Sequence, residues 1–324
     1  MFCRKDREAY AGGLLKKIII MVRRIWKRFL ILRSVECGTP VALGSTISVR
    51  DDADRETVLE KIIQQTEQIA DELGVKVILF RDYFKEELPL MKQLERRGYM
   101  LIENLPGAHF SVRWNKFSDY LKEMRSEYRR RIEKRIRVFQ SGIVMEEIKN
   151  FSEMSAILVK LWKNTYDRAK EYRREVLTEE FFVNMDQSLG NRSSVIVAKS
   201  VDKIVGFSLL LRDEDTLITL FCGLDYSESE SFYIYFNLFY ETIRIAIKEG
   251  MKKIDLGITT LLPKIELGGE IVHLYMYMKH MNPLLNKFVP RAFSFMTPRQ
   301  KLIPQRIFKS DVLSESDGSI KSVT

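Results

Sequence analysis

Cysteine and histidine are scarce in this sequence of 324 residues, which holds three of each. Cys3, Cys37 and Cys222 lie far apart with no C-x-x-C pair, so neither a disulfide framework nor a cysteine-ligated zinc is expected, and the simplest reading is a reducing compartment. His109, His273 and His280 are equally scattered and form neither H-E-x-x-H nor H-x-E, which leaves no motif for a catalytic metal. Long apolar runs are absent as well. None reaches the ~18 residues needed to span a bilayer. The nearest candidate, "LLKKIIIMVRRIWKRFLILR" at 14–33, is broken throughout by cations. Those cations, with no small-residue cleavage site behind them, also argue against a signal peptide.

What the chain does have is apolar mass and positive charge. Hydrophobic residues make up 45% and aromatics 11%, enough for one large α/β unit or two ordinary domains with real cores. Lys and Arg number 53 against 44 Asp and Glu, a net charge of +9. That excess favours anionic partners: nucleic acid, phosphorylated substrates or an anionic membrane face. Within 14–33, Leu15, Ile18, Ile19, Val22, Ile25, Trp26, Phe29 and Leu32 share one helical face, and Lys16, Lys17, Arg23, Arg24, Lys27 and Arg28 largely fill the rest. Such a helix suits an anionic membrane surface, or else packs on its own domain or on a neighbouring subunit. The expected location is cytoplasmic, with peripheral attachment at the inner face of the membrane through 14–33 as an option.

Downstream, strands and helices alternate. "GTPVALGSTISV" predicts a strand ending at Arg50, and "DDADRETVLEKIIQQTEQIADELG" a helix with acidic residues at its start and Gly74 at its end. "VKVILF" and "YMLIENLP" predict strands on either side of the helical "KEELPLMKQLERRG". Residues 118–139 predict one long helix capped by Ser118, with Leu121, Met124, Tyr128, Ile132, Ile136 and Phe139 inside and a dense arginine face outside. From 143 the order is strand, helix, helix, then "SSVIVAKS", "KIVGFSLLLRD" and "TLITLFCGLD" as antiparallel strands, a helix at 232–249 and a strand before Gly257. Residues 301–324 lose apolar periodicity and gain serine, the pattern of a frayed tail. "QQTEQIADELGVKVILFRDY" and "ETIRIAIKEGMKKIDLGITT" share one plan of amphipathic helix, glycine, basic residue and buried strand, which predicts an internal duplication. The expected fold class is α/β, with mixed central sheets flanked by helices.

Two stretches carry a family resemblance. "FSDYLKEMRSEYRRRIEKRIRVFQSGIVMEEI" is similar to a segment Y-L-x-x-[LM]-[RS]-S-x-x-R-R-x-I followed by G-[IV]-x-x-E, and "DLGITTLLPKIELGGEIVHLY" to an ending in which a glycine-containing strand leads to a Lys, a Gly-Gly pair and another strand. Both patterns belong to the Fem family of peptidoglycan aminoacyl transferases and the related cellulose-biosynthesis-associated acetyltransferase-like proteins. With the element order of 143–257, they make the chain resemble a tandem GNAT acyltransferase. The resemblance implies tandem GNAT-like halves: a basic amphipathic helix at 1–33, a degenerate first half at 34–142 carrying the arginine-rich helix, an acyltransferase domain at 143–300 and a flexible tail at 301–324. It further implies N- or O-acyl transfer to a cell-envelope, polysaccharide or amine-bearing precursor, with no bound cofactor and an acyl carrier as co-substrate. GNAT enzymes that use acetyl-CoA carry an R/Q-x-x-G-x-G/A loop whose backbone N–H groups hold the pyrophosphate. Here "GLDYSESESFYIYF" stands in that place, with Asp225, Glu228 and Glu230 and no glycine after Gly223. The donor is therefore open between acyl-CoA and, as in Fem-type enzymes, aminoacyl-tRNA or another carrier.

Acyl transfer needs a held donor carbonyl, a group that polarises the developing oxyanion, and a proton path. In GNAT-like sheets the donor lies where the fourth and fifth strands splay, here the ends of "LFCGLDYS" and "IDLGITT", which brings Gly223 and Gly257 in as donor-binding backbone positions. Asp225 could accept a proton and Tyr226 donate one, although an Asp after "GL" equally suits a turn. Tyr235 is the tyrosine assigned to the cleft, against the alternative of packing with its hydroxyl at the rim. Thr259 and Thr260 offer hydroxyl donors or merely favour a strand. The resemblance implies that Lys264 faces the cleft and neutralises a phosphate or the oxyanion, while Glu266 could pair with it as an ordinary surface ion pair. On the arginine helix, Arg129 represents an anion-binding surface for tRNA or a nucleotide-linked substrate. A solvated face and a membrane-facing patch are its other readings. A non-catalytic GNAT-like binding module and an RNA-binding protein are the remaining function classes; no oligomeric state can be read.

Overall fold

Apolar residues recurring with periods near two and near 3.6 set the elements. The computed structural model describes residues 2–6, 21, 31–39, 43–44, 47–169, 175–258, 260–296 and 305–310. Its first elements are β1 (Phe2–Asp6), β2 (Ile31–Cys37), α1 (Arg55–Glu72), β3 (Val77–Tyr83), α2 (Lys92–Arg96), β4 (Met100–Glu103) and β5 (Gly107–Ser111). Next come α3 (Phe117–Glu123), α4 (Ser126–Gln140), β6 (Val144–Ile148), α5 (Ser155–Arg168), α6 (Glu179–Leu189), β7 (Ser193–Ser200), β8 (Lys203–Asp213) and β9 (Thr216–Leu224). The last are α7 (Tyr226–Ser229), α8 (Ile234–Lys248), β10 (Lys253–Asp255), α9 (Leu261–Ile265), β11 (Glu270–Val272), β12 (Tyr275–His280), α10 (Pro283–Asn286) and α11 (Val289–Met296). No helix among the described residues is long and apolar enough to cross a membrane.

Two compact units emerge. The first comprises Met1–Gly107, Lys170–Arg174 and Val272–Gln300. Its five-stranded sheet runs β1-β2-β3-β12-β4. β2 and β3 are parallel, joined through α1, and every other pair is antiparallel. Leu59, Ile63 and Ala70 of α1 pack on Ile78 and Phe80 across one face, and Val77, Leu79, Met276 and Met278 meet Phe293 of α11 on the other. A strand buried on both faces usually holds only apolar residues. β3 also buries Arg81 and Asp82, with Arg81 bonded to Glu36 at 2.9 Å and to Asp82 at 2.6 Å.

The second unit comprises Ala108–Ala169, Glu175–Ile271 and Lys301–Thr324. Its seven-stranded sheet runs β11-β5-β10-β9-β8-β7-β6. β6 to β9 form an antiparallel meander, while β10 lies parallel to β9 after the α8 crossover and antiparallel to β5. The mixed sheets flanked by helices are those expected. The plan β-α-β, antiparallel neighbour, edge strand occurs in both units, as β2-α1-β3 with β12 and β4, and as β9-α8-β10 with β5 and β11.

Several local expectations need correction. Residues 31–33, assigned to the basic helix, begin β2; the rest of 14–33, apart from Met21, lies outside the described residues. Where a strand is expected up to Arg50, the described residues 38–39, 43–44 and 47–50 are bends or irregular, and the partner that lies beside β3 is the upstream β2. The helix expected at 118–139 is two, because Met124 turns extended (ψ 148°) and bridges Phe308. Its cap is Lys116 rather than Ser118. The tail is docked at 305–310: Ile307 and Phe308 are each 3% exposed, and the Phe308 ring packs tilted against Trp114 and edge-on against Tyr120. The compact units change over after Gly107, after Ile271 and after Gln300, and 142/143 lies inside the second.

Candidate active site

β9 and β10 part company early. Their last paired rung is Ile218 with Asp255, after which β9 continues to Leu224 without a β10 partner. Thr219 Oγ1 donates to the Asp255 carbonyl at 2.8 Å and closes the base of this gap. Above it, the chain leaving β10 turns at Gly257, whose φ of +73° belongs to the left-handed region that favours glycine. Its N–H donates to Asp255 Oδ1 at 2.7 Å.

The turn leads into α9, which carries Lys264. Thr260 enters it at φ +52°, and the two glycines that follow close it: Gly268 N donates to Ile265 O at 2.8 Å and Gly269 N to Lys264 O at 3.0 Å. A Cβ at Gly268 would stand 2.4 Å from the Phe308 ring, and one at Gly269 would stand 2.7 Å from the Lys264 carbonyl. The Gly-Gly pair therefore fixes the backbone of the lysine. The Lys264 side chain is 3% exposed, and its Nζ lies 3.9 Å from where a Gly257 Cβ would be. Among the described residues it has no ion pair or hydrogen bond. Burial lowers its pKa to about 8 against the opposing pull of Asp255 and Cys222.

Cys222 and Tyr235 stand next to Lys264 and Thr260. Cys222 keeps some accessible surface although protein surrounds its thiol, and burial pushes its pKa up to about 11 while Lys264 pulls it down. Tyr235, on the first turn of α8, is likewise partly accessible yet enclosed, and rests edge-on against Phe239 with centroids 5.1 Å apart. Burial, then the neighbouring Cys222, raises the Tyr235 pKa, and a hydrogen bond shared with Thr260 opposes them. The phenol is thus a neutral donor at physiological pH. Tyr235 thus lies beside Thr260 and Lys264 beside Gly257, with Cys222 acting on the side chains of both Tyr235 and Lys264.

Other candidates have different surroundings. Asp225 caps α7 by accepting from Ser227 N at 3.1 Å and Ser227 Oγ at 2.6 Å, and pairs with Lys203 at 2.5 Å. These bonds, the Lys203 one first, hold its pKa at about 2, so it is an ionised cap rather than a ready proton acceptor. The Tyr226 ring lies 4.2 Å under the Arg168 guanidinium. Gly223 is where α5 presses on β9: a Cβ would stand 2.4 Å from Trp162 N and 2.5 Å from the Leu161 carbonyl carbon. Glu266 faces Arg131 at 3.4 Å and Arg135 at 3.5 Å instead of Lys264. Arg135 itself lies 3.6 Å over the Phe236 ring and donates to Tyr240 OH at 3.4 Å. Arg129 is half-buried on α4 and joins none of these contacts. Thr259 lies outside the described residues.

Cys222, Asp255 and Arg135 escaped the sequence reading. Asp255 carried a signal, a carboxylate inside an apolar strand, and Arg135 another, a cation one position from the inward-facing Ile136. Cys222 carried none. Among the described residues no group of His, Cys, Asp and Glu is placed to hold a metal.

Comparison with known proteins adds to this geometry. Residues 34–289 match a family model described as FemAB-like, peptidoglycan biosynthesis/recognition. The structure of FemX aligns with a TM-score of 0.51 at 11% identity, over 80% of this chain and 83% of FemX. The C-terminal domain of a provisionally named lysylphosphatidylglycerol synthetase from Agrobacterium fabrum aligns with a TM-score of 0.51 at 13% identity, over 76% of this chain and 78% of that domain. Both are likenesses of fold. A Mycobacterium tuberculosis protein provisionally named 8-amino-7-oxononanoate synthase 2 is 23% identical over 270 residues, which cover 80% of this chain. The chain spans about a third of the length of the curated relatives it matches, 34% in each strain.

Proposed function

The chain belongs to the FemAB-like family of peptidoglycan biosynthesis/recognition, and on that premise we propose that it moves an aminoacyl or acyl group from a carrier to a cell-envelope precursor at the parting of β9 and β10 beside Lys264. It is a transferase. The observation that carries the choice of site is Lys264 itself, a cation 3% exposed and without an ion-pair partner among the described residues, at the point where β9 and β10 diverge. An unpaired buried charge costs stability. A pKa of about 8 makes it useful, since protonated and neutral forms coexist near neutral pH.

In the proposed step an acceptor amine attacks the ester carbonyl of the donor and forms the C–N bond. The carbonyl oxygen takes the negative charge, held by the Lys264 ammonium and the neutral Tyr235 phenol, which Thr260 orients. Collapse breaks the carbonyl carbon's bond to the carrier oxygen, and that oxygen leaves with a proton from Lys264. The proton lost by the amine restores the ammonium. Donors without a pyrophosphate at this place, aminoacyl-tRNA among them, are favoured, because Asp225 already occupies the N–H group at the start of α7.

Assay of the purified chain with aminoacyl-tRNA, acyl-CoA and envelope precursors, following the product by mass spectrometry, tests this reading. K264M should lower kcat by on the order of a hundredfold or more while leaving the circular dichroism unchanged. Undiminished turnover in K264M would remove Lys264 from the chemistry, and efficient turnover with acyl-CoA would reverse the choice of donor.

A further inference from the structure

The turn after β12 presents an unusual surface in the first unit. Asn282 accepts from Leu284 N at 3.0 Å and from Leu285 N at 3.2 Å. Asn286 fastens the other end, donating to Gly98 O and accepting from His280 N, each at 2.8 Å. Val289 and Phe293 then pack α11 against Val77, Leu79, Ile102, Met276 and Met278. Because the turn is capped at both ends and anchored, its outward side chains cannot fold away. Leu284 is 72% exposed, Leu285 47% and Phe288 69%. Lys287 and Arg291 are exposed among them. Large apolar side chains held in water in one cluster mark an interaction surface.

Charge decides what covers it. Residues 281–291 contain no acidic side chain, and their two cations, Lys287 and Arg291, both stand in water beside the apolar tips. Apolar tips interleaved with cations and free of acids match an anionic bilayer, whose acyl boundary takes the leucines and phenylalanine and whose phosphates take the lysine and arginine. We propose that residues 283–291 form a docking device that seats this chain on an anionic lipid surface. The device is separate from 14–33, and it does not rest on the transfer reaction.

Flotation of the full chain with phosphatidylglycerol-containing vesicles and with pure phosphatidylcholine vesicles tests it. The wild type should float with the anionic vesicles and much less with the neutral ones. L284S/L285S/F288S changes only exposed positions, so it should keep the wild-type Tm and bind anionic vesicles about tenfold or more weakly. K287E/R291E should lose the preference for anionic lipid. F288W should be quenched by brominated phosphatidylglycerol beyond the level of the native tryptophans, which reports insertion without removing an apolar group. Unchanged binding by the triple variant overturns the proposal, as does a wild type that binds neither vesicle. So does self-association that the triple variant abolishes in the absence of lipid, because the surface would then be a protein interface.

Discussion

A buried lysine without an ion-pair partner should weaken the fold, and its titration says over what pH range. Lys264 has an ordinary pKa of 10.5 and a folded value of about 8. Between these the unfolded chain keeps the proton and the folded chain does not, so stability rises with pH from 8 to 10.5, and below 8 the penalty is fully present. A shift of this size corresponds to roughly 3 kcal/mol. Methionine nearly matches the lysine in volume and carries no charge. K264M should therefore be more stable than wild type by about 2–3 kcal/mol at pH 7 and by much less at pH 10, although transfer is lost. Tyr120 and Tyr235, whose pKa values burial raises, lose stability above pH 10, but both proteins share them and the difference cancels. Urea unfolding at the two pH values checks this; a K264M chain less stable than wild type at pH 7 would make the lysine structural. Lys264 is legible in the sequence as a single cation between Pro263 and a Gly-Gly pair. Its neighbour Asp255 shows there only as a carboxylate inside an apolar strand and Cys222 not at all, because hydrophobic period says which face a residue takes, not which strand edge lies open.

Among elements, the two glycines read together as donor-binding have different tasks. At Gly223 a Cβ would meet the backbone of α5 at 2.4 and 2.5 Å, and backbone inside a packed helix cannot yield cheaply. G223A should cost about 3 kcal/mol or more. At Gly257 the nearest atom to a new Cβ is Lys264 Nζ at 3.9 Å, an ordinary contact, so G257A bears mainly the left-handed backbone penalty of about 1–2 kcal/mol. Thermal unfolding of the two variants should rank them in that order, and equal losses would mean that α5 does not press on β9. Elements whose pattern is local, such as α1, α8 and the β7 to β9 meander, are legible from period alone. The break between α3 and α4 is not, since what turns Met124 out of the helix is Phe308, far along the chain.

For the whole molecule, the boundary between units is hidden by exchange of strands. β5 follows β4 in the chain but lies between β10 and β11, and β12 follows β11 but lies between β3 and β4. A sequence read from one end to the other meets two complete β-α-β plans, so the duplication is visible and the exchange is not. The exchange also makes the halves unequal as fragments. Residues 1–107 contain β1 to β4 but lack β12, the strand that pairs with both β3 and β4 and brings Met276, Tyr277 and Met278 into the two cores. Without it, β3 and β4 each lose a ladder and face a gap that no residue of the fragment fills. The fragment 107–310 retains every strand of the second sheet together with Ile307 and Phe308, and carries β12 as an apolar strand with no partner. Fragment 1–107 should therefore show no cooperative unfolding transition, whereas 107–310 should unfold cooperatively but associate through β12. Calorimetry and light scattering on the two fragments decide the matter. A cooperative transition in 1–107 alone would mean that the first sheet does not depend on the strand supplied from the far end of the chain.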